Sequence, residues 1–339
     1  MNAPPPIGPL SRPLAMTMGD PAGIGPELAL KAWLHRAAIG APFFVLADRR
    51  LLADLAARLG LDVPVVAVEA AGAAEIFDHA LPVVQLTNEA GAEPGKPQAK
   101  YAAAILESIE RAVGLVHAGE ASAVVTNPIA KAVLYEAGFR HPGHTEYLGE
   151  LAARWGGAAR PVMMLWSPDL AVVPVTIHIA LAEAPRALTR EAIIETCRIV
   201  ARDMRKRFKI DRPRLALAGL NPHAGEGGAM GREEIDVIAP AVAALQGEGL
   251  DVVGPLPADT MFHAAARKKY DVAVTMYHDQ GLIPLKTLAF DEGVNVTLGL
   301  PFVRTSPDHG TAFDIAGQGR ANPASLIAAA RLAARLAAA

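Results

Sequence analysis

The stretch M-T-M-G-D-P-A-G-I-G-P-E, residues 16–27, joins a short apolar run to an Ala- and Leu-rich segment. Gly19, Gly23 and Gly25 follow the apolar run, and Pro26 stands where a helix tolerates proline, in its first turn. The stretch therefore predicts a strand, a tight glycine loop and a helix in succession. Such a loop at a helix N-terminus can hold an anion, and a purely structural turn explains it equally well.

The same succession recurs along the chain. Short runs of Val, Ile and Leu alternate with longer segments rich in Ala, Leu and charge, the pattern of a parallel α/β sheet. Strands are predicted at 14–18, 43–47, 123–126, 162–166, 171–176, 214–218, 252–253 and 272–275. Helices are predicted at 26–38, 49–59, 100–118, 130–137, 145–154, 190–208, 233–246 and 323–338. We therefore predict an α/β fold whose ligands bind beyond the carboxyl ends of the strands.

Composition narrows the classes of function. The chain has 339 residues, enough for about two domains of ordinary size. Its 32 Lys and Arg against 35 Asp and Glu give a formal charge of −3, so no basic excess favours nucleic acid as a partner. Hydrophobic residues make up 52% but aromatic residues only 5%, as expected of helices packed on a buried sheet.

The single cysteine, Cys197, excludes an intramolecular disulfide and a thiolate metal cluster, so metal ligands would be His, Asp or Glu. We expect a cytoplasmic location, because the proline-rich N-terminus lacks the basic start and apolar run of a signal peptide. The longest apolar stretch, residues 170–181, is interrupted by Pro174 and His178 and is shorter than the ~20 residues that span a bilayer. No membrane association is expected.

Three histidines each follow a predicted strand. His178 lies in V-P-V-T-I-H-I-A-L, His223 in G-L-N-P-H-A-G-E-G-G, and His278 in Y-H-D-Q-G-L after V-A-V-T-M. Three neutral imidazoles that converge from separate strand ends would form an open site for a divalent ion. The alternative is that each is an ordinary hydrogen-bonded histidine of a core or a turn.

Two further groups have the residue types of an anion site. His144 and Thr145 begin a predicted helix, where Thr145 could cap the helix or bind an anion. Lys286, Asn295 and Arg304 are spaced nine residues apart in an apolar region that we expect to be buried. A bound phosphate or carboxylate would supply their counter-charge, and a structural ion pair is the alternative.

The stretch P-D-H-G-T-A-F-D-I-A-G-Q-G-R-A-N-P, residues 307–323, is rich in small and turn-forming residues. It contains His309, Gly310, Thr311 and Asn322. Such a composition indicates a backbone that approaches a ligand closely, or a plain connector into the last helix.

These blocks resemble the 4-hydroxythreonine-4-phosphate dehydrogenase family of pyridoxal phosphate biosynthesis, nearly from end to end. The matching blocks are M-G-D-P-A-G-I-G-P-E, G-H-T-E, G-L-N-P-H-A-G-E-G-G, G-P-L-P-A-D-T, Y-H-D-Q-G-L and G-L-P-F-V-R-T-S-P-D-H-G-T-A. The resemblance implies an isocitrate/isopropylmalate dehydrogenase-like fold with two α/β/α subdomains around a central cleft. The first would comprise residues 1–137 and 303–339 and the second residues 138–302.

The resemblance also implies a reaction and its residues. The secondary alcohol of 4-phosphooxy-L-threonine would be oxidised by NAD or NADP to 2-amino-3-oxo-4-phosphooxybutanoate, which decarboxylates to 3-amino-2-oxopropyl phosphate. The fold binds its nicotinamide without a G-x-G-x-x-G fingerprint, which this sequence lacks. The family's site residues correspond here to the metal ligands His178, His223 and His278, the substrate contacts His144, Thr145, Lys286, Asn295 and Arg304, and the cofactor loop with His309, Gly310, Thr311 and Asn322.

The resemblance further implies that one divalent ion (Zn, Co or Mg) lies at a homodimer interface, with one histidine donated by the partner. Asp259 in P-A-D-T and Asp279 beside His278 are candidates for orienting ligands or moving protons. A paralogous dehydrogenase acting on a phosphorylated four-carbon sugar acid or a dihydrodiol carboxylate is an alternative. A His-ligated metal hydrolase and a non-catalytic metabolite-binding protein are alternatives of other classes.

Overall fold

The computed structural model describes residues 10–141, 144–154 and 160–338. Its strands are β1 (Leu14–Thr17), β2 (Phe43–Ala47), β3 (Val65–Ala67), β4 (Leu81–Gln85), β5 (Val124–Val125), β6 (Val162–Trp166), β7 (Ala171–Thr176), β8 (Arg214–Ala218), β9 (Asp251–Leu256), β10 (Val272–Tyr277), β11 (Val294–Leu298) and β12 (Arg304–Pro307). Its α-helices are α1 (Gly25–Leu34), α2 (Arg36–Ile39), α3 (Arg49–Leu59), α4 (Ala73–Ile76), α5 (Ala102–His117), α6 (Lys131–Glu136), α7 (His144–Ala153), α8 (Ala184–Ala187), α9 (Arg190–Lys206), α10 (Ala239–Gly247), α11 (Ala264–Arg267), α12 (His278–Ala289) and α13 (Ala324–Ala337). In the described ranges, no helix is long and apolar enough to cross a membrane.

The chain divides into two compact units. Unit 1 comprises Met1–Pro161 and Leu300–Ala338, and unit 2 comprises Val162–Gly299. This division differs from the predicted subdomains, which placed residues 138–161 and 300–302 in the second one. The helix α7 groups with unit 1 because it packs on α5, where the Tyr147 hydroxyl donates a hydrogen bond to Glu110.

Unit 1 contains a parallel sheet in the order β3-β4-β2-β1-β5-β12. Every residue of β1 and β2 is buried, as expected of parallel strands with helices on both faces. Phe43, Phe44 and Leu46 are completely buried and pack at the centre of this unit. The predicted α/β class is confirmed.

Unit 2 has strands in the order β11-β6-β7-β10-β8-β9. The pairs β11–β6 and β6–β7 are antiparallel. In the pair β6–β7 the short connection forms a hairpin rather than a crossover. The strands β7, β10 and β8 are parallel neighbours. Their carboxyl ends therefore meet at one edge of the sheet, where open α/β folds bind ligands.

Sequence patterns predicted most elements, and β2 and α3 have the predicted bounds. Four strands, β3, β4, β11 and β12, were not predicted. The strand β4 contains Pro82, and β12 has the polar sequence R-T-S-P, so neither shows the apolar run of a buried strand. The helix α12 was also missed, because it begins directly after β10 and contains Gly281 and Pro284, which normally interrupt helices.

Candidate active site

Two of the predicted metal ligands lie side by side in unit 2. His278 is the first residue of α12 and follows β10 directly, and His178 lies just beyond the end of β7. Because β7 and β10 are parallel neighbours, both side chains lie at the same edge of the sheet. Their ring centroids are 5.7 Å apart. The backbone of His178 has a φ of 50°, so the chain turns sharply at this residue.

The ring of His278 is oriented by its neighbour in sequence. Its Nδ1 lies 2.7 Å from Oδ1 of Asp279, so the ring donates Nδ1–H to the carboxylate and leaves Nε2 as the ligand atom. Carboxylates commonly orient metal-binding histidines in this way. Of the two predicted roles of Asp279, this contact fits that of orienting a ligand.

The two imidazoles line a pocket of about 410 Å³. Its rim includes Ile179, Leu181 and Ile283, whose side chains are 46%, 67% and 63% exposed. Three large, exposed aliphatic side chains around one pocket form an apolar patch of the kind that marks interaction surfaces. We call these three residues the apolar rim.

His223 follows β8, the other parallel neighbour of β10, and is exposed. It begins a left-handed turn, because φ is positive at every residue from His223 to Gly227. The left-handed conformation costs about 1–2 kcal/mol at each residue with a Cβ, and His223, Ala224 and Glu226 all have one. Among the described residues of one chain, no three His, Cys, Asp or Glu side chains form a metal-sized group. The structure thus brings His178 and His278 together without His223.

The other unit 2 candidates lie on separate elements. Asp259 is exposed in the turn Ala258–Thr260 that follows β9. Lys286 is half-buried in α12, with its Nζ 5.9 Å from the ring centroid of Phe290. Asn295 is half-buried in β11, opposite Leu165 of β6.

Unit 1 carries a cluster of nitrogen donors. Arg304 begins β12 and is 3% exposed, and its guanidinium donates to the Thr126 hydroxyl from Nη2 (2.6 Å) and Nε (3.2 Å). Burial lowers the pKa of Arg304 to about 10, so it stays charged at neutral pH. Burial also lowers the pKa of His144 well below 6.5, and the charges of Arg304 and Lys131 lower it further.

Within the described ranges, Nε2 of His144 is buried and has no hydrogen-bond partner. His144 and Thr145 are the first two residues of α7. A neutral imidazole near two cations at a helix N-terminus is chemically suited to an anion, whose charge would relieve the repulsion between the cations.

The predicted cofactor loop packs on the glycine stretch that opens the sequence. The amide of Ile24 donates to the carbonyl of Thr311 (3.0 Å), and a Cβ at Gly23 would lie 3.0 Å from that oxygen. Because Gly23 has no side chain, the glycine loop can pack closely against the loop that contains Thr311, also in unit 1. At the far end of the loop, Oδ1 of Asn322 accepts from the amide of Ala324 (3.0 Å) at the start of α13. His309 and Gly310 follow β12. Gly310 is exposed, whereas His309 is half-buried and its Nε2 is buried.

An ion pair that the sequence analysis did not single out fixes this loop. The carboxylate of Glu27, completely buried in α1, accepts from Lys31 Nζ (2.8 Å) and from the amides of Ala321 (3.0 Å) and Gly319 (3.2 Å). Lys31 Nζ donates in turn to the carbonyls of Gly319 (2.9 Å) and Ala321 (2.7 Å). In the sequence, Glu27 and Lys31 have the i, i+4 spacing of an ion pair on a helix. This spacing does not predict their contact with the distant loop.

Comparison with known proteins decides the family. The family model described as "Pyridoxal phosphate biosynthetic protein PdxA" matches residues 39–333. The chain belongs to the PdxA family. The resemblance seen in the sequence blocks is thereby confirmed.

A PdxA relative from Bradyrhizobium diazoefficiens, named 4-hydroxythreonine-4-phosphate dehydrogenase, is 60% identical and covers 97% of this chain and 98% of its own length. The crystal structure of 4-hydroxythreonine-4-phosphate dehydrogenase from Klebsiella pneumoniae has a TM-score of 0.85 at 40% identity, over 96% of this chain and 100% of that one. A terephthalate 1,2-cis-dihydrodiol dehydrogenase from Burkholderia xenovorans LB400 has a TM-score of 0.64 at 29% identity, over 96% and 98%. PdxA relatives of this chain are dehydrogenases, and the family serves pyridoxal phosphate biosynthesis.

Proposed function

We propose that this PdxA-family chain oxidises the secondary alcohol of 4-phosphooxy-L-threonine with NAD or NADP in the cytoplasm. The carbinol carbon gives hydride to the nicotinamide, the hydroxyl gives its proton to solvent, and the resulting 3-oxo acid loses carbon dioxide to leave 3-amino-2-oxopropyl phosphate. The observation that carries this proposal is the pair His178 and His278, placed side by side at the ends of β7 and β10 in a chain of this family.

The donor set fits a divalent ion such as zinc, cobalt or magnesium. His278 offers Nε2 while Asp279 holds Nδ1, and the ring of His178 lies beside it. A bound ion would act as a Lewis acid on the alcohol oxygen and later on the ketone oxygen. Two imidazoles leave room for a third ligand, since three protein ligands are usual in catalytic sites.

We assign the third ligand to His223 of the partner subunit in a homodimer. Two features support this assignment: His223 is exposed on a turn, and one chain does not gather the three histidines in the part that the structure describes. The apolar rim beside the histidine pair would be covered by the partner, which removes its aliphatic side chains from water.

The remaining site residues have separate proposed roles. The substrate's phosphate and carboxylate would be held by His144, Thr145, Lys286, Asn295 and Arg304. Burial and the nearby cations keep the His144 ring neutral, so it would donate or accept one hydrogen bond without adding charge.

The nicotinamide cofactor would bind along the loop with His309, Gly310, Thr311 and Asn322. Its backbone conformation is set by contacts with Ile24 and Glu27. Asp279 would orient His278, and Asp259 stays a candidate for moving a proton.

Turnover tests the reaction. We expect NADH or NADPH to form from 4-phosphooxy-L-threonine, to stop on chelation of divalent ions, and to resume when zinc, cobalt or magnesium is restored. The unphosphorylated substrate and a dihydrodiol carboxylate serve as controls, because the relative from Burkholderia xenovorans is named for a dihydrodiol. Turnover of the dihydrodiol in preference to the phosphorylated substrate would replace the proposed substrate. Hydrolysis without cofactor binding would indicate a metal hydrolase.

Complementation tests the shared site. His223→Ala and His278→Ala chains, each with its own affinity tag, are co-expressed and the heterodimer is purified. Its intact His178–His278 pair faces an intact His223 of the partner subunit in one site of two, so we expect about half of wild-type activity. The His178→Ala/His278→Ala heterodimer is the matched control and should be inactive, because both losses fall on the paired ligands. Equal inactivity of the two heterodimers would place all three ligands in one chain.

A further inference from the structure

The turn that carries His223 is held by a residue outside the three histidines. The carboxylate of Glu234, which is 3% exposed, accepts from the backbone amide of Asn221 (2.7 Å) and from its side-chain Nδ2 (2.9 Å). Asn221 immediately precedes the turn Pro222–Gly228. The contact thus fixes the chain at the point where the left-handed conformation begins.

The same carboxylate lies on the inner side of the turn. A Cβ at Gly225 would come within 2.5 Å of Glu234 Oε2, and a Cβ at Gly219 within 3.0 Å of Oε1. Two glycines therefore allow the backbone to close around Glu234, one on each side of His223. Glu234 itself begins a π-helical turn, Glu234–Ile238, that leads into α10, so the carboxylate is attached to a packed helix and not to another loop.

The conformation of this turn decides where the His223 ring points. The ring is exposed, so side-chain packing within its own chain does little to fix it, and its direction follows from the backbone. That backbone is left-handed at His223, Ala224 and Glu226, a conformation that residues with a Cβ adopt only where the surroundings enforce it.

We propose that Glu234 is a positioning residue of the metal site, whose buried carboxylate fixes the left-handed turn and thereby presents His223 to the ion. The inference rests on the proposed function, because it assumes that His223 is a metal ligand. Replacing a residue that orients a metal ligand without binding the metal itself typically weakens metal binding by about 10–100-fold.

The test is zinc affinity of the dimer, measured by competition with a chromophoric chelator, together with the absorption spectrum of the Co²⁺-loaded protein. Glu234→Gln keeps the side-chain volume but sets an amide against Nδ2 of Asn221. We expect zinc to bind about 10–100-fold more weakly, and the cobalt spectrum to shift toward that of His223→Ala. Circular dichroism and the thermal midpoint of the metal-free protein verify that the variant is folded.

Two further variants test the same contact without a substitution at position 234. Asn221→Asp breaks the same contact from the loop side by placing a carboxylate against Glu234, and also against Glu233, whose Oε2 accepts from the same Nδ2 (2.7 Å). It should weaken zinc binding similarly. Asp236→Asn is the matched control: it removes a carboxylate from the same π-helical turn, where Asp236 pairs only with exposed Arg232 in the described contacts. We expect its zinc affinity to stay within about twofold of wild type.

Two results would overturn the inference, and they differ. If His223→Ala weakens zinc binding while folded Glu234→Gln and Asn221→Asp bind zinc like wild type, Glu234 does not position the ligand. If His223→Ala itself binds zinc like wild type, the assignment of His223 in the proposed function fails, and the role of Glu234 fails with it.

Discussion

Replacing Glu27 with glutamine tests whether the buried ion pair of α1 holds the predicted cofactor loop. Glu27 is completely buried and accepts three hydrogen bonds, from Lys31 and from the amides of Gly319 and Ala321. Glutamine has the same shape but one carbonyl oxygen, so at least one of these donors loses its acceptor. A buried donor left unsatisfied costs about 1–3 kcal/mol.

We expect Glu27→Gln to lower the unfolding free energy of unit 1 by about 2–3 kcal/mol, since Lys31 keeps its two carbonyl partners. Lys31→Met should cost a similar amount, because it leaves the carboxylate buried without its cation. The double variant should lose less unfolding free energy than the sum of the two single losses, because both single variants remove the same Glu27–Lys31 interaction.

The unfolding free energy is measured by urea titration, with the fluorescence of Trp33 as the signal. Trp33 is buried in α1, the helix that carries the ion pair, and replacing Trp155 and Trp166 by Phe leaves it as the only tryptophan of the chain. Hydrogen exchange of either the Gly319 or the Ala321 amide should accelerate in Glu27→Gln, because the two amides bond to different oxygens of the carboxylate and glutamine keeps only one oxygen.

Glu93→Gln is the matched control. It breaks an i, i+3 pair with Lys96 whose side chains are 61% and 65% exposed, and exposed pairs contribute little to stability. The reasoning would be refuted if Glu27→Gln unfolded within about 0.5 kcal/mol of wild type, or if the two single losses simply added in the double variant.

Three other predictions use single groups. Asp279→Asn should weaken zinc binding about tenfold, the lower end for such partners, because Asp279 is 70% exposed where it contacts His278; unchanged affinity in the chelator assay would contradict this. The pKa of His144 is lowered in the fold, so the unfolded chain binds the proton more readily and the unfolding free energy should fall below about pH 6.5, by at most 1.4 kcal/mol per pH unit. His144→Asn should reduce this pH dependence when the unfolding free energy is measured by urea titration at several pH values. The same pH dependence in the variant and in wild type would contradict the prediction. Burial raises the pKa of the Cys197 thiol to about 12, so thiol reagents should label one cysteine per chain in urea and none in the native protein, and rapid native labelling would show the thiol to be accessible.

The strand ends and their histidines could be predicted because buried parallel strands are short apolar runs. His178, His223 and His278 do follow β7, β8 and β10, and the side-by-side contact of two of them follows from the pairing of β7 with β10. The order of the strands was not predictable from local patterns, since pairing depends on contacts between distant segments.

The residues that hold the site loops were missed for the same reason. Glu27 meets Gly319 and Ala321 across almost the full length of the chain, and no spacing rule reports such a contact. Glu234 stands in the ordinary helix-forming sequence R-E-E-I-D, and its role is visible only once its carboxylate is seen against Asn221.

Unit 1 is assembled from two stretches of chain, with the whole of unit 2 inserted between them. On the ribosome, unit 2 leaves the exit tunnel complete while unit 1 still lacks β12 and α13. Until β12 has emerged, the two-residue strand β5 is an unpaired edge of the sheet, because its partner β12 is encoded later. The hydrogen bond from the Thr305 hydroxyl to the Ala329 carbonyl, which anchors α13, also forms only after that point. The nascent polypeptide therefore exposes an unfinished sheet throughout synthesis of unit 2, the stage at which chaperone binding would protect it.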